Sequence, residues 1–344
     1  LALTGSVVDL PALCISAILT VILVVGIRES ARFNAIMVVI KLAVVLMVIA
    51  IGSFYVSAAN WTPFAPFGWK GLSFFGNAFV WGEGPGGQPI GMLAGAGIMF
   101  FAYIGFDAVS THAEEARNPH RDVPIGIMAS LLICTVLYIA MTAVITGMVP
   151  YNQIDVDAPV AAAFERIGLK WAQFVVSVGA IAGLTSVMMV LMQSLPRILL
   201  AMARDGLLPK SFFGVVHPRL RTPWKSTILT GAFVGILSAF IPLRVLLELV
   251  NIGTLLAFVI VCIAVLIMRR INPDAPRPFR CPFVPVLPIL GAGFCLLLMF
   301  SLPSSNWLRL LVWLVIGIAI YAFYGHKHSS LRNPKVPSES NGAG

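Results

Sequence analysis

The chain has 344 residues, of which 59% are hydrophobic and 11% charged, with a mean hydropathy of +0.94. No soluble domain of this size has a core large enough to hide so much apolar surface, so the composition excludes a soluble globular protein and makes lipid the solvent for much of the chain. The net charge of +9 reads as the basic loops that membrane proteins gather on their cytoplasmic side, and no nucleic-acid-binding motif accompanies it.

The chain opens on Leu1, with no basic region ahead of its first apolar run. It therefore reads as lacking a signal peptide at its start and as part of a longer protein, with residues 1–9 an outer segment. A hydrocarbon core about 30 Å thick asks for about 20 apolar residues per helix, and nine such runs succeed one another. The first two are Leu10–Ile27 and Asn34–Val56.

The second run places Lys41 inside "IMVVIKLAVVLMVIAI". By helical rise it sits about 10 Å from the Asn34 end, and two readings stand. Its stem can snorkel to the interface, or it faces a cavity as a functional charge, the usual place for a lysine within a membrane. A desolvated amine takes and releases a proton nearer neutrality than one in water, which makes Lys41 the candidate proton carrier.

An outer loop, 57–91, is rich in Gly, Pro and aromatics and includes "WGEGPGGQP". It reads as irregular and lying on the membrane face, and it contains the acceptor pattern Asn60-Trp61-Thr62. The third run, Met92–Ser110, reads "MLAGAGIMFFAYIGFDAVS", with Gly95, Gly97 and Gly105 inside it and Asp107 two residues after the last. These glycines either break the helix, which is tolerated inside a membrane where it lines a cavity, or let neighbouring helices pack closely. The next stretch, "THAEEARNPHRD", offers His112, Glu114, Glu115 and His120. Its spacing is not that of a metalloprotease, and its turn and charge signals are those of a cytoplasmic loop, so no metal site is expected.

The fourth and fifth runs are Ile125–Val149 and Trp171–Ala203. Pro196 is expected to bend the fifth. Thr185 and Ser186 are adjacent within it; their hydroxyls bond their own helix backbone, the commoner case, or present oxygen to an ion or ammonium. Arg197 and Asp205 read as an interface pair. The remaining runs are Ser226–Ile241, Val245–Ile267, Val284–Leu302 and Trp307–Gly325, with Arg244 and Glu248 four apart and paired near the outer surface. The polar tail, 331–344, is expected to be disordered.

Counting Lys and Arg on alternate sides of the nine runs gives 16 on one side and 5 on the other, with Lys41 and Arg197 inside runs. That bias places the first residues outside and the C-terminal tail in the cytoplasm. The five cysteines, Cys14, Cys134, Cys262, Cys281 and Cys295, lie in or beside apolar runs without a CxxC pair and read as small hydrophobes. No carboxylate pair, nucleotide-binding loop or nucleophile constellation argues for an enzyme, and no cofactor is implied.

Three stretches carry a resemblance: "FFAYIGFDAVSTHAEEARNPHRDVPIGI", "MARDGLLPKSFFGVVHPRLRTPWKS" and "LLELVNIGTLLAFVIVC". In this order they resemble the amino acid–polyamine–organocation superfamily, and within it the cationic amino acid transporter family and its bacterial relatives. The likeness runs from Leu10 to about Gly325. It implies an all-α integral membrane protein with the LeuT-type inverted-repeat fold. The nine runs then correspond to family helices 4–12, in a transmembrane domain over 10–330. Family helices 1 to 3, including a broken helix that supplies half of the substrate site, are absent, so the chain as it stands is expected to be an inactive part of a transporter.

By the same resemblance, Lys41 matches a family lysine that couples proton movement to transport, with Thr185 or Ser186 beside it. Phe101, Ala102, Tyr103 and Ile104 match the unwound part of a broken helix, whose carbonyls hold the substrate's amino group and whose side chains shape the pocket. Phe106 and Asp107 continue that site and its gating. The implied activity is secondary transport of neutral or varied amino acids by alternating access, in the form of proton-coupled import across the plasma membrane. Its partners are an amino acid, protons and the bilayer. A sensing receptor, an exchanger without proton coupling and a channel are the rivals. Two departures stand out: His112 replaces a small residue of the family's "STxAEE" pattern, and the outer loop is longer than usual.

Overall fold

The structure, a computed structural model, describes residues 9–25, 27–69, 72–75, 77–80, 91–155, 158–220, 222–241, 243–277 and 279–329. Its helices in chain order are α1 (Leu10–Val25), α2 (Ile27–Gly52), α3 (Met92–Met99), α4 (Pro119–Met148), α5 (Pro159–Arg166), α6 (Lys170–Arg204), α7 (Lys210–Phe213), α8 (Trp224–Phe240), α9 (Leu243–Ile271), α10 (Val286–Ser301) and α11 (Ser304–Ile320). Each of the nine apolar runs carries helix. Five helical segments are long and apolar enough to cross a membrane: Arg32–Tyr55, Pro119–Met148, Lys170–Arg204, Val250–Ile271 and Ser304–His328. Four shorter apolar ones accompany them: Leu10–Val25 ahead of the first, and Gly95–Thr111, Trp224–Phe240 and Val286–Ser301 between the others. The chain is a multi-pass membrane protein.

α6 carries the fully buried Pro196 within its helical span. The structure departs from the sequence expectation in two places. α4 starts six residues before its apolar run, because Pro119 occupies the first turn, where its missing N–H is no loss. The Asn118 carbonyl accepts the N–H groups of Arg121 and Asp122 at 3.0 and 2.9 Å. The outer loop is not wholly irregular: it holds a 3₁₀ turn, Ala58–Trp61, and an antiparallel hairpin of β1 (Leu72–Phe74) and β2 (Asn77–Val80). Aromatic packing supports that hairpin. Phe74 stacks on Phe300 at 5.4 Å, and the Phe75 N–H donates to the Phe300 carbonyl at 2.7 Å. The Asn60 amide donates to the Gly147 carbonyl at 2.6 Å, tying the 3₁₀ turn to the end of α4.

The chain divides into two compact units, one of Leu1–Ser30, Leu191–Ile241 and Leu311–Gly344, the other of Ala31–Val190 and Pro242–Leu310. In the first, α1 packs along α8. Ser16 and Thr20 donate to carbonyls of their own helix at 2.8 and 2.6 Å, as hydroxyls in apolar helices commonly do. A Cβ at Gly231 would overlap the Thr20 side chain, so the small residue sets how closely the two helices approach.

The second unit has two apolar cores. Val48, Val144, Met148, Phe164 and Val176 join α2, α4, α5 and α6. Ile252, Leu255, Val259, Met299 and Leu310 join α9, α10 and α11, with Phe100 packed against them. The C-terminal end of α9 is met by Arg277, whose guanidinium donates to the carbonyls of Met268, Asn272, Pro273 and Ala275. Three of these carbonyls lie in the turn that follows α9, so one side chain fastens that turn to the helix end.

Candidate functional site

The third apolar run is a broken helix. α3 tightens into a 3₁₀ turn over Phe100–Tyr103, Ile104 becomes extended (φ −61°, ψ 131°), and Gly105 takes φ 121° before a second 3₁₀ segment begins at Phe106 and runs to Glu115. Only glycine occupies that φ without strain, so Gly105 fixes where the helix breaks. The glycines on either side act differently: a Cβ at Gly97 would stand 3.2 Å from Ser301 Cβ, the mark of close packing, while one at Gly105 meets nothing within 4 Å. The two readings of this glycine-rich run are thus both realised, at different residues.

A break in a membrane helix must dispose of its backbone polar groups. The Ile104 N–H donates to the Phe101 carbonyl at 3.2 Å, and the Ala108 N–H to the Gly105 carbonyl at 3.1 Å. The Gly105 N–H donates to Asp107 Oδ1 at 3.0 Å. Asp107 therefore spends one carboxylate oxygen on the start of the second half-helix, where the amide dipoles favour negative charge. Across the break the Ala102 carbonyl accepts the Tyr138 hydroxyl of α4 at 2.8 Å. Among the described residues no donor reaches the Ile104 carbonyl. Phe100 and Phe106, on either side of the break, pack on Phe258 of α9 with centroids 6.1 and 5.3 Å away. Phe101 is 42% exposed, while Tyr103, Ile104, Phe106 and Asp107 are half-buried.

Lys41 belongs to a second locus, the contact of α2 with α6. A Cβ at Gly179 would stand 2.6 Å from Val44, and one at Gly183 would stand 3.8 Å from Lys41 Cβ and 3.9 Å from Cδ. Ser186, 2% exposed, donates to Asn34 Oδ1 at 2.7 Å. As the α2 partners rise in number the α6 partners fall, so the two helices run antiparallel, with the lysine stem lying on Gly183. Among the described residues the half-buried Lys41 ammonium has no hydrogen bond or ion pair. Thr185 donates to the Ile181 carbonyl of its own helix at 2.8 Å. Of the two hydroxyls singled out in the sequence, only Ser186 reaches across to α2.

The structure thus gathers Phe101, Ala102, Tyr103, Ile104, Phe106 and Asp107 at one break and sets Lys41 beside Gly183, one helical turn from Ser186. Among the described residues no hydrogen bond, ion pair or ring contact links Lys41 to the break. The side chains of His112, Glu114, Glu115, Arg244 and Glu248, and the tail after Ser329, lie outside the described residues. Sequence reasoning missed Tyr138, Phe258 and Asn34. Each of the first two is the single aromatic residue of its apolar run, where it reads as one more apolar side chain, and Asn34 read only as a span boundary. None departs from helical patterning, and only the tertiary contacts single them out.

Comparison with known proteins places these loci in context. The amino acid permease family model matches residues 5–325. A methylthioribose transporter of Bacillus subtilis is 43% identical over 330 residues, covering 96% of this chain and 67% of the relative. A branched-chain amino acid permease of the same organism is also 43% identical, covering 95% of this chain and 66% of the relative. A vacuolar cationic amino acid transporter of Arabidopsis thaliana is 30% identical, covering 96% of this chain and 71% of the relative. The chain spans about two thirds of the length of the first two.

Proposed function

The chain belongs to the amino acid permease family, a family of transporters rather than enzymes, and on that premise we propose that it carries out secondary active transport of amino acids, driven by protons and directed inward across the plasma membrane. The observation that carries this reading is the break at Ile104–Gly105. It is a non-helical stretch within an apolar run, with the Ile104 carbonyl open among the described residues. A carbonyl at the end of a half-helix attracts a cationic donor such as an amino group. Asp107 already takes the Gly105 N–H, so the break offers more to an ammonium end than to a carboxylate.

The fold that goes with this reading is the LeuT-type inverted repeat, with the C-terminal tail in the cytoplasm, as the 16-to-5 charge bias supports. Alternating access would expose the break to each side in turn. The proton carrier in this reading is Lys41, which has no carboxylate partner among the described residues and lies against Gly183 in the middle of an apolar helix. An intramembrane amine of that kind is costly unless it serves a function.

The methylthioribose transporter among the relatives adds a second substrate class, because a backbone carbonyl also accepts a hydrogen bond from a hydroxyl. The test is uptake into proteoliposomes of labelled isoleucine, lysine, alanine and methylthioribose, with and without an inward proton gradient, using protein expressed from the complete gene. Accumulation of an amino acid only under the gradient is the expected result. Amino acid binding without accumulation would replace the transporter with a receptor, and accumulation unaffected by the gradient would leave an exchanger.

A further inference from the structure

The unwound segment is held by a residue that neither the family likeness nor the sequence pattern brought forward. The Tyr138 hydroxyl donates to the Ala102 carbonyl at 2.8 Å, and the same ring meets Tyr103 edge-on with centroids 5.3 Å apart. Two contacts of different chemistry, from one side chain, thus fall on adjacent residues of the unwound segment. Opposite them, Phe258 packs against Phe100 and Phe106. The break is therefore held by aromatic side chains of α4 and α9.

One ordinary role for a tyrosine in a membrane helix fits Tyr138 poorly. A tyrosine of an interfacial belt turns its hydroxyl toward the headgroups, whereas this hydroxyl is committed to a main-chain carbonyl inside the broken run. A helix end leaves several carbonyls without partners. Tyr138 takes that of Ala102, and among the described residues no donor reaches the Tyr103 or Ile104 carbonyl beyond it.

We propose that Tyr138 is a positioning residue for substrate: by fixing the Ala102 carbonyl and the Tyr103 ring it sets the direction of the Tyr103 and Ile104 carbonyls, the acceptors presented to the substrate's N–H or O–H donor. The proposal rests on the reading that substrate binds at the break. Substrate then completes the hydrogen bonding of the unwound segment, and its affinity depends on a side chain that never touches it. The chemical class selected is a small solute with a hydrogen-bond donor at the end that enters the break, and an ammonium is favoured over a hydroxyl by the carbonyl dipoles.

The test uses Tyr138→Phe, which keeps the ring and its contact with Tyr103 but removes the donor. Uptake of labelled isoleucine and labelled methylthioribose is measured in proteoliposomes, together with the thermal midpoint of the substrate-free protein. The proposal expects KM to rise about three- to tenfold, the equivalent of one neutral hydrogen bond, while Vmax and the midpoint hold. Tyr138→Ala, which also releases Tyr103, raises KM further. A lower midpoint with unchanged KM makes Tyr138 structural only and overturns the proposal. Ile104→Phe, which crowds the break itself, separates the binding site from its positioning. If it raises KM while Tyr138→Phe does not, the site stands and the positioning role falls. If neither changes KM, substrate does not bind at the break, and both fall. Absence of uptake of either solute by the unaltered protein likewise removes the reading and the proposal together.

Discussion

The contact of α2 with α6 and the break after α3 place polarity within apolar helices by opposite means. At the first, both helices are continuous through the contact, and the polarity is one side-chain charge, Lys41, laid on Gly183. At the second, the backbone itself supplies the polarity, because Gly105 at φ 121° interrupts the ladder. On the proposed reading the first place would serve the proton and the second the solute, so the two should respond to different substitutions.

The division is tested most severely at Lys41. Lys41→Ala is expected to abolish accumulation driven by a pH gradient while leaving the protein folded and able to bind its substrate. The lost side chain has no partner among the described residues to leave unsatisfied, and an unpaired amine in a membrane is costly to keep. The measurement pairs gradient-driven uptake with binding of the same solute. Full uptake with an unchanged pH profile would make Lys41 a snorkelling residue, and the two loci would no longer divide the work.

At the break the corresponding change is Gly105→Val. A β-branched residue at that φ is a true outlier, and holding it there costs about 1–3 kcal/mol. A Cβ at Gly105 meets nothing within 4 Å, so the penalty is conformational, not steric. Substrate affinity is expected to fall about tenfold or more as the Ile104 carbonyl swings away, a change of the size that penalty allows, while the pH dependence of the remaining uptake stays as it was. A shifted pH profile would mean that the break and Lys41 are coupled in the resting protein.

Much of this architecture was legible in the sequence, and the reason is physical. Long apolar runs report helices directly, so each of the nine could be read, whereas the glycines before Asp107 left a break and close packing both open, and only the family likeness pointed to an unwound segment. What the sequence left open was which neighbours act. Thr185 and Ser186 are chemically alike and adjacent, yet helical rotation turns one back to the Ile181 carbonyl and the other toward Asn34. Tyr138 was invisible for a similar reason: its value lies in a contact with Ala102, 36 residues away in the chain. The β1–β2 hairpin was hidden by a Gly- and Pro-rich composition, since its support comes from Phe300 in a distant helix.

Gly179 offers a smaller test on the first locus. A Cβ there would stand 2.6 Å from Val44 Cγ1 and 2.7 Å from its other branch, so Gly179→Ala overpacks the contact of α2 with α6. A loss of about 1–3 kcal/mol is the ordinary cost of such crowding, read as a lower thermal midpoint. Because Val44 lies one turn along α2 from Lys41, a displaced α2 should also lower gradient-driven uptake while substrate affinity holds. Affinity falling with it would show that the substrate site leans on this contact.

The mildest change is at Ser186. Its hydroxyl, buried at 2% exposure, is joined to Asn34 Oδ1 at 2.7 Å. Ser186→Ala removes the donor and leaves the half-buried Asn34 carbonyl oxygen without it, a loss of about 1 kcal/mol in thermal stability. Transport poses the sharper question. If Ser186 serves only to tie α2 to α6, the pH profile of uptake stays fixed and Ser186→Thr, which keeps the hydroxyl, restores stability. If Ser186 instead shares the proton site with Lys41, one helical turn along α6 from Gly183, the pH profile moves even where stability is recovered. The structure favours the tie, because the hydroxyl is already committed to Asn34 and among the described residues makes no bond to the lysine. An unmoved profile would leave Lys41 as the titrating side chain at this contact and confine Ser186 to holding the helix that carries it.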